Sequence, residues 1–369
     1  MKVLTVVGTR PEVIRLSRVV ARLDESVEHV LVHTGQNYDH QLNGVFFQEM
    51  GLRDPDHVLG VDTTSLGSVL GDTLVKTEAV LKSESPDAFL VLGDTNSAIS
   101  AVMAKRMHIP VFHMEAGNRS FDENVPEETN RRLVDHVADF NLVYTEHARR
   151  NLLAEGLHPR RIMLTGSPMR EVLDHYRDRI DGSDVLDRLE LTPGSYVLVS
   201  AHRQENVDKP ARLMALLDCL RAVHQETGLM VLVTTHPRTR KRLDDTPHPG
   251  SLDGVVFAAP FGFFDYAALQ QNAYCVLSDS GTISEEAAIL GFPAVTLRSS
   301  IERPEALDTG SIITTDLRAE SIMLGMACAV RDHRSAPAPA DYARTSCSTA
   351  VRNFIISVTP EHAVWAGLR

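Results

Sequence analysis

Short apolar runs rich in β-branched residues recur along the chain, each followed by a longer stretch in which apolar residues return every three or four positions. In the first half these runs are Val3–Val7, Val30–His33, Phe89–Gly93, Val111–Met114, Leu142–Tyr144 and Ile162–Thr165. The first is followed by Val13, Leu16, Val19 and Val20, spaced to share one helix face. Strand-like runs alternating with helical spacing predict βα units and a parallel sheet. A polar stretch from Arg177 to Gly194 interrupts the rhythm, which resumes with Tyr196–Ser200, Met230–Thr235, Val255–Ala259, Cys275–Ser278 and Ala294–Leu297. The economical architecture is α/β, with two Rossmann-like doubly wound domains facing across a cleft, at residues 1–175 and 190–335. After Ala336-Pro337-Ala338-Pro339, the spacing of Val351, Phe354 and Ile355 predicts a helix within 345–369 that returns to the first domain.

Composition narrows the partners. A length of 369 residues with 43% hydrophobic content exceeds one ordinary core and suits two α/β domains. A formal net charge of -12 argues against the broad basic face that nucleic acid or an anionic membrane requires, so an anionic ligand must meet a local basic pocket. Cys219, Cys275, Cys328 and Cys347 lie far apart without a CxxC pair and read as reduced thiols. The apolar run at the N-terminus stops at Gly8-Thr9-Arg10, too soon for a signal or membrane span, so a cytoplasmic protein is expected.

Candidate chemistry gathers where strands end. Gly8-Thr9-Arg10-Pro11-Glu12 joins the first strand to a helix; glycine permits the turn, proline suits the helix start, and the amides there favour a phosphate, with Arg10 and Arg15 adding charge. The motif is not GxGxxG and implies no nicotinamide cofactor; an ordinary strand-to-helix turn is the alternative. Asp94, Glu115 and the Glu127-Glu128 pair fall where a parallel α/β fold presents side chains to ligand. Against this, Asp94 could cap a following helix, and Glu127 or Glu128 could sit in a helix first turn for dipole reasons. In the second half, His202-Arg203 and His236 close strands and offer cationic groups to a leaving phosphate, although His236 alone would read as a surface histidine. Ser278-Asp279-Ser280-Gly281-Thr282 opens a helix carrying Glu285-Glu286, a set of hydroxyls and amides suited to a diphosphate, with Glu286 within reach of a ribose diol. Thr282 and Glu285 are also spaced as a capping box. Tyr266 offers a face for stacking on a nucleobase, where core packing is the alternative.

As a joint pattern, Gly8-Thr9-Arg10-Pro11-Glu12, Gly93-Asp94-Thr95, Glu115-Ala116-Gly117, Pro126-Glu127-Glu128 with Asn130-Arg131, His202-Arg203, Asp279-Ser280-Gly281 with Glu285-Glu286, and Glu302-Arg303-Pro304-Glu305 resembles the non-hydrolysing UDP-N-acetylglucosamine 2-epimerases. The likeness runs from about residue 1 to about residue 315. It implies a glycosyltransferase-B-like fold, a UDP-sugar substrate, no metal and no redox cofactor. It also implies catalytic roles for Asp94, Glu115, Glu127 and His202. Arg10, Arg131, Ser280, Glu286 and Arg303 match positions that bind UDP or support the site, and Tyr266 matches the uracil-stacking aromatic. Arg15, His236, Gly281 and Thr282 join the expected substrate-binding set, and a homodimer serving amino-sugar or polysaccharide biosynthesis is the expected setting. Arg15 stands where the family usually has lysine, Asn118 where it has leucine, and Thr282-Ile283-Ser284 where it has Gly-Ile-Gln. These variants look more like the branch that makes UDP-N-acetyl-L-fucosamine from its talose C2 epimer. Gln36 matches one residue of a second, regulatory UDP-sugar site, whereas Asp39 and the region of Gly71 lack the partners expected there.

The C2 proton of such a sugar is too weakly acidic for a side chain to remove alone, so its loss is expected to accompany departure of UDP from C1. The 2-acetamidoglycal would then be reprotonated on the other face as UDP adds back, with closure of the two domains excluding water. Three rivals stay open on sequence: a glycosyltransferase of the same architecture, a UDP-sugar-binding sensor, and a hydrolysing epimerase.

Overall fold

The computed structural model describes residues 1–36, 46–245, 251–298, 303–333 and 338–368. Asp39, Glu302 and Ala336-Pro337 lie outside the described residues. The chain divides into two compact units, Met1–Val172 with Asp341–Arg369, and Leu173–Ala340.

Among the described residues the first unit holds a parallel sheet of β1 (Lys2–Val7), β2 (Glu28–His33), β3 (His57–Val58), β4 (Ala88–Leu92), β5 (Val111–Met114), β6 (Phe140–Val143) and β7 (Ile162–Leu164). Their order is β3-β2-β1-β4-β5-β6-β7. Leu4, Val6, Phe89, Val91 and Val111 from the sheet pack with Leu81, Ala98 and Val134 from helices. Burial on both faces explains why these strands are continuous apolar runs. The winding reverses between β1 and β4, so the segments leaving them diverge and open a crevice at the strands' carboxyl ends. Helix Cys347–Val358 packs within this unit, burying Val351 and Ile355. Its start is fixed by Glu171, which accepts from the Ser348 amide at 2.8 Å, and Phe354 meets Phe140 edge-on at 5.4 Å.

In the second unit, β8 (Tyr196–Ser200), β9 (Met230–Thr234), β10 (Val255–Ala258), β11 (Cys275–Ser278), β12 (Ala294–Thr296) and β13 (Ile313–Thr314) form a parallel sheet ordered β10-β9-β8-β11-β12-β13. Its switch point lies between β8 and β11. The polar stretch 177–194 is partly helical, at Arg177–Asp181 and Val185–Arg188. It is tied to helix Phe263–Asn272 by Ser183 Oγ, which donates to Asp265 at 2.6 Å, and by an Arg188–Asp265 ion pair.

The expected α/β class with two parallel sheets is what the chain adopts. The strand ends differ from the apolar runs by a residue or two, and the two-residue edge strands β3 and β13 have no counterpart among those runs. No described helix is long and apolar enough to cross a membrane. The cysteines form no disulfide, and burial pushes the Cys219 thiol up to about 11 and the Cys275 thiol up to about 12.

Candidate active site

Each switch point carries the motifs. After β1, Gly8 turns the chain towards helix Arg10–Asp24, whose start is set by extended Thr9 and by Pro11. A Cβ on Gly8 would meet Thr34 Oγ1 at 2.5 Å, so no larger residue fits there. Glu12, fully buried, fastens the turn by accepting from the Gly8 amide at 3.1 Å, from Thr9 Oγ1 at 2.7 Å and from Ser97 Oγ. Burial pushes its carboxyl above the usual range, and hydrogen bonds from Ser97, Thr9, Gly8 and Thr95 offset that only in part. The Arg10 guanidinium lies 5.6 Å from the centre of the Phe46 ring.

Asp94, Glu115, Arg15 and Arg131 converge. Arg15 reaches inward from its helix to an ion pair with Glu115, both largely buried. Arg131, from helix Pro126–Val137, pairs with Asp94 and lies 3.6 Å from Glu115 Oε1. Its Nη1 also donates to the Glu115 carbonyl at 2.6 Å. Asn130 donates to the Asp94 carbonyl at 3.0 Å. Asp94 therefore spends its side chain on Arg131, and the short helix Asn96–Ser100 has no side-chain cap. The capping alternative for Asp94 does not describe the fold.

Glu115 adopts φ 61, a left-handed conformation that costs a non-glycine residue about 1–2 kcal/mol. The Arg131 bond to its carbonyl helps to hold it there. Gly117, at φ 78, is required two residues on, because a Cβ would meet the Ala148 carbonyl oxygen at 2.5 Å. Glu127 stands exposed in the first turn of helix Pro126–Val137 and is not joined to the Asp94–Arg131–Glu115 cluster. Its neighbour Glu128 turns inward, accepting from the Ser120 amide at 2.9 Å and from Arg132 at 2.9 Å.

In the second unit, Asp279 follows β11 with no solvent exposure and gathers the turn after β8. Its carboxylate accepts from the His202 amide at 3.1 Å, the Arg203 amide at 3.0 Å and Asn206 Nδ2 at 3.0 Å. His202 Nδ1 lies 3.5 Å from Asp279 Oδ1, while the imidazole is about half exposed at 48%. A histidine fixed at its base by a buried carboxylate and open at its edge can present a proton to a ligand. The motif Asp279-Ser280-Gly281 alone gives Asp279 no role of its own; its ties to the His202 turn come only from the fold.

The cradle itself is built from hydroxyls. Ser280 Oγ and Thr282 Oγ1 are 3.0 Å apart, and the Ser280 amide donates to Ser278 Oγ at 3.0 Å. Thr282 makes no side-chain cap on helix Ile283–Leu290, and Glu285 instead forms a buried ion pair with Arg303 at 2.9 Å. The capping-box alternative is thus not realised. Ser280, Gly281 and Thr282 are all partly exposed. Arg303 braces the cradle helix from inside. Glu286, on the same helix, accepts from Gln270 at 2.6 Å. Burial, with the Glu286 carboxylate beside it, pushes the Tyr266 hydroxyl above its ordinary range, and its hydrogen-bond partners include Ser200 and Gln270. Tyr266 therefore belongs to the group at the β8–β11 switch point. His236 is exposed beyond β9, one position before helix Pro237–Asp245.

The family model described as UDP-N-acetylglucosamine 2-epimerase matches residues 21–355. The solved UDP-N-acetylglucosamine 2-epimerase from Rickettsia bellii is 43% identical, is covered over 99% of each chain and superposes with a TM-score of 0.91. The Methanocaldococcus jannaschii UDP-GlcNAc 2-epimerase, solved in complex with UDP-GlcNAc and UDP, is 31% identical over 96% of this chain and 99% of that one, with a TM-score of 0.90. A Pseudomonas aeruginosa relative, the UDP-2,3-diacetamido-2,3-dideoxy-D-glucuronate 2-epimerase, is 32% identical over 341 residues, 90% of this chain and 94% of that one.

Proposed function

This chain belongs to the UDP-N-acetylglucosamine 2-epimerase family, and from that membership we propose that it inverts C2 of a UDP-linked N-acetylhexosamine without hydrolysing it. The observation that carries the reading is the convergence of Asp94 and Glu115 on Arg131 beside Arg15, two carboxylates held by guanidiniums at the carboxyl ends of β4 and β5. A glycosyltransferase or a sensor has no need of paired carboxylates of this kind.

In the first half-reaction a carboxylate takes the C2 proton, the C2–H electron pair becomes the C1–C2 double bond, and the C1–O bond breaks with its electrons leaving on UDP. In the second, a UDP oxygen re-forms the bond to C1 while an acid protonates C2 from the opposite face. Asp94 and Glu115 are assigned to proton transfer, with exposed Glu127 as a further acid. His202, fixed by Asp279, faces the negative charge that grows on the leaving diphosphate. Arg10, the Ser280–Thr282 hydroxyls and amides, His236, Tyr266 and Glu286 are assigned to binding UDP, with Arg303 bracing them through Glu285. Proton NMR of the products separates the outcomes: a C2 epimer supports the proposal, whereas free sugar with UDP, or no conversion, overturns it.

UDP-N-acetylglucosamine is the first substrate to test, supported by the names of the relatives. A second reading, the 6-deoxy-L-talose and L-fucosamine pair, is motivated by the Arg15, Asn118 and Thr282-Ile283-Ser284 variants. Asn118, three residues after Glu115, is buried with its amide Nδ2 unpartnered, a costly arrangement that a substrate acceptor would relieve. Side-by-side assays decide, and efficient turnover of UDP-N-acetylglucosamine with none of the 6-deoxy L-sugar nucleotide would remove the second reading alone.

Replacing Glu286 with alanine is expected to weaken UDP binding by about 1–3 kcal/mol, the range for hydrogen bonds to a charged group. Unchanged affinity by calorimetry would contradict the ribose assignment. A homodimer and a cytoplasmic setting complete the proposal. Cysteines without a disulfide support the second, and a mass measurement in solution tests the first.

A further inference from the structure

Asp94 and Glu115 stand at the carboxyl ends of β4 and β5, and the opposite end of the same sheet holds a pocket of its own. It lies within the first unit, at the amino ends of β6 and β7, and its volume of about 430 Å³ is ordinary for a small-molecule site. Phe140, at the start of β6, and Trp365, from the short helix His362–Trp365, supply its apolar walls. The two rings meet edge-on with centres 6.3 Å apart, and Trp365 is 42% exposed.

The charge around this pocket is one-sided. Lys105, Arg160 and Arg161 line it against a single carboxylate, Asp139. Burial alone would push the Asp139 carboxyl up, but His362, Lys105 and the Val111 amide bring it below the usual range. Lys105 is its ion-pair partner. Arg161 donates through Nε to the Asp139 carbonyl at 3.2 Å and through Nη2 to the Ala138 carbonyl, which fixes the guanidinium without cancelling its charge. Arg160 is exposed and stands over the Trp365 ring, 5.0 Å from its centre. Among the described residues neither arginine has an ion-pair partner. Glu361, next to His362 in the chain, does not line the pocket. Two positive charges are therefore left over, in a chain whose formal net charge is -12. His158 caps the turn Pro159–Arg161 by accepting from the Arg160 amide at 3.1 Å, so both arginines project from a fixed backbone.

A solvated basic face would spread such side chains over convex surface. Here they share a concavity with aromatic walls, where a low-dielectric lining focuses their field on whatever enters. Two unbalanced charges match a phosphate monoester dianion, and guanidinium forks match its oxygens. An exposed indole beside a guanidinium plane is the surface on which a nucleobase stacks. We propose that this pocket is a second ligand site, for a nucleoside monophosphate, with Arg160, Arg161 and Lys105 taking the phosphate and Trp365 the base. The proposal does not rest on C2 epimerisation, and the site lies in the other unit from the Ser280–Thr282 cradle.

Trp365 is the chain's single tryptophan, so its fluorescence reports on the pocket without interference from another indole. Adenosine monophosphate is titrated into the full chain held in saturating UDP, which fills the proposed cradle. Saturable quenching is expected, with an affinity that falls as salt screens the exposed charges. Adenosine, which lacks the phosphate, and inorganic phosphate, which lacks the ring, should each bind at least about tenfold more weakly. Arg160→Gln, a change at an exposed side chain, should weaken adenosine monophosphate by about tenfold or more while leaving UDP affinity and the melting temperature as they were. Calorimetry of the same titration reads binding independently of the indole. Absence of saturation by both methods up to about 1 mM nucleotide overturns the proposal. Equal affinity for inorganic phosphate, or unchanged affinity in Arg160→Gln, also overturns it. Quenching by polyglutamate with none by adenosine monophosphate would mark the face for an acidic protein and overturns it as well.

Discussion

Converting Asp94 to asparagine or Glu115 to glutamine is expected to lower turnover by about two to four orders of magnitude, because an amide keeps the size and most hydrogen bonding of the carboxylate but cannot take a proton. UDP affinity should stay close to the wild type, since the Ser280–Thr282 cradle and Glu286 belong to the other unit. The two variants are not equivalent in stability. When Asp94 is neutralised, Arg131 keeps Glu115 Oε1 at 3.6 Å as a counter-charge, and the Asp94 side chain itself is partly exposed at 19%. Glu115 is buried against Arg15, and removing one partner of a buried pair leaves an uncompensated charge that costs about 3–5 kcal/mol. Asp94→Asn is therefore the cleaner kinetic probe, and Glu115→Gln should also lower the melting temperature. Steady-state kinetics, calorimetry with UDP and a thermal melt make the three measurements. Wild-type rates in both variants would remove these carboxylates from the mechanism.

How much of this could be read from the chain depends on how local each feature is. Strands buried on both faces announce themselves as unbroken apolar runs, and Gly8-Thr9-Arg10-Pro11 and Ser280-Gly281-Thr282 carry their backbone requirements in adjacent residues. Two-residue strands such as His57–Val58 and Ile313–Thr314 offer no period to detect. The partners that fix the side chains proposed for catalysis are distant in sequence. Asp279 reaches His202 across 77 positions, and Arg131 reaches Asp94 across 37. Nothing near Arg303 signals that its guanidinium belongs to Glu285, and nothing in Glu127-Glu128 tells which of the two turns inward.

Product formed in heavy water is expected to carry deuterium at C2 in essentially every molecule turned over. Elimination hands the C2 proton to a carboxylate, and carboxylates exchange protons with water faster than a typical catalytic cycle of about a tenth of a second. Readdition must then draw on a solvent-derived proton, whichever of Asp94, Glu115 and Glu127 delivers it, because the face that receives it is not the face that lost it. A mechanism that moved the hydrogen as hydride would return the original protium to C2. Mass spectrometry and proton NMR of product isolated early, and of recovered substrate, distinguish the two, since reversal of the same steps also labels the starting sugar. Partitioning of the intermediate gives a second reading of the same chemistry. If elimination survives an amide substitution while reprotonation fails, Asp94→Asn or Glu115→Gln should slowly release UDP and the 2-acetamidoglycal in equal amounts. Full turnover with protium retained at C2 would sink the elimination mechanism outright. Deuterium in the product, with glycal released by one amide variant and not the other, would assign the acid and the base to individual carboxylates.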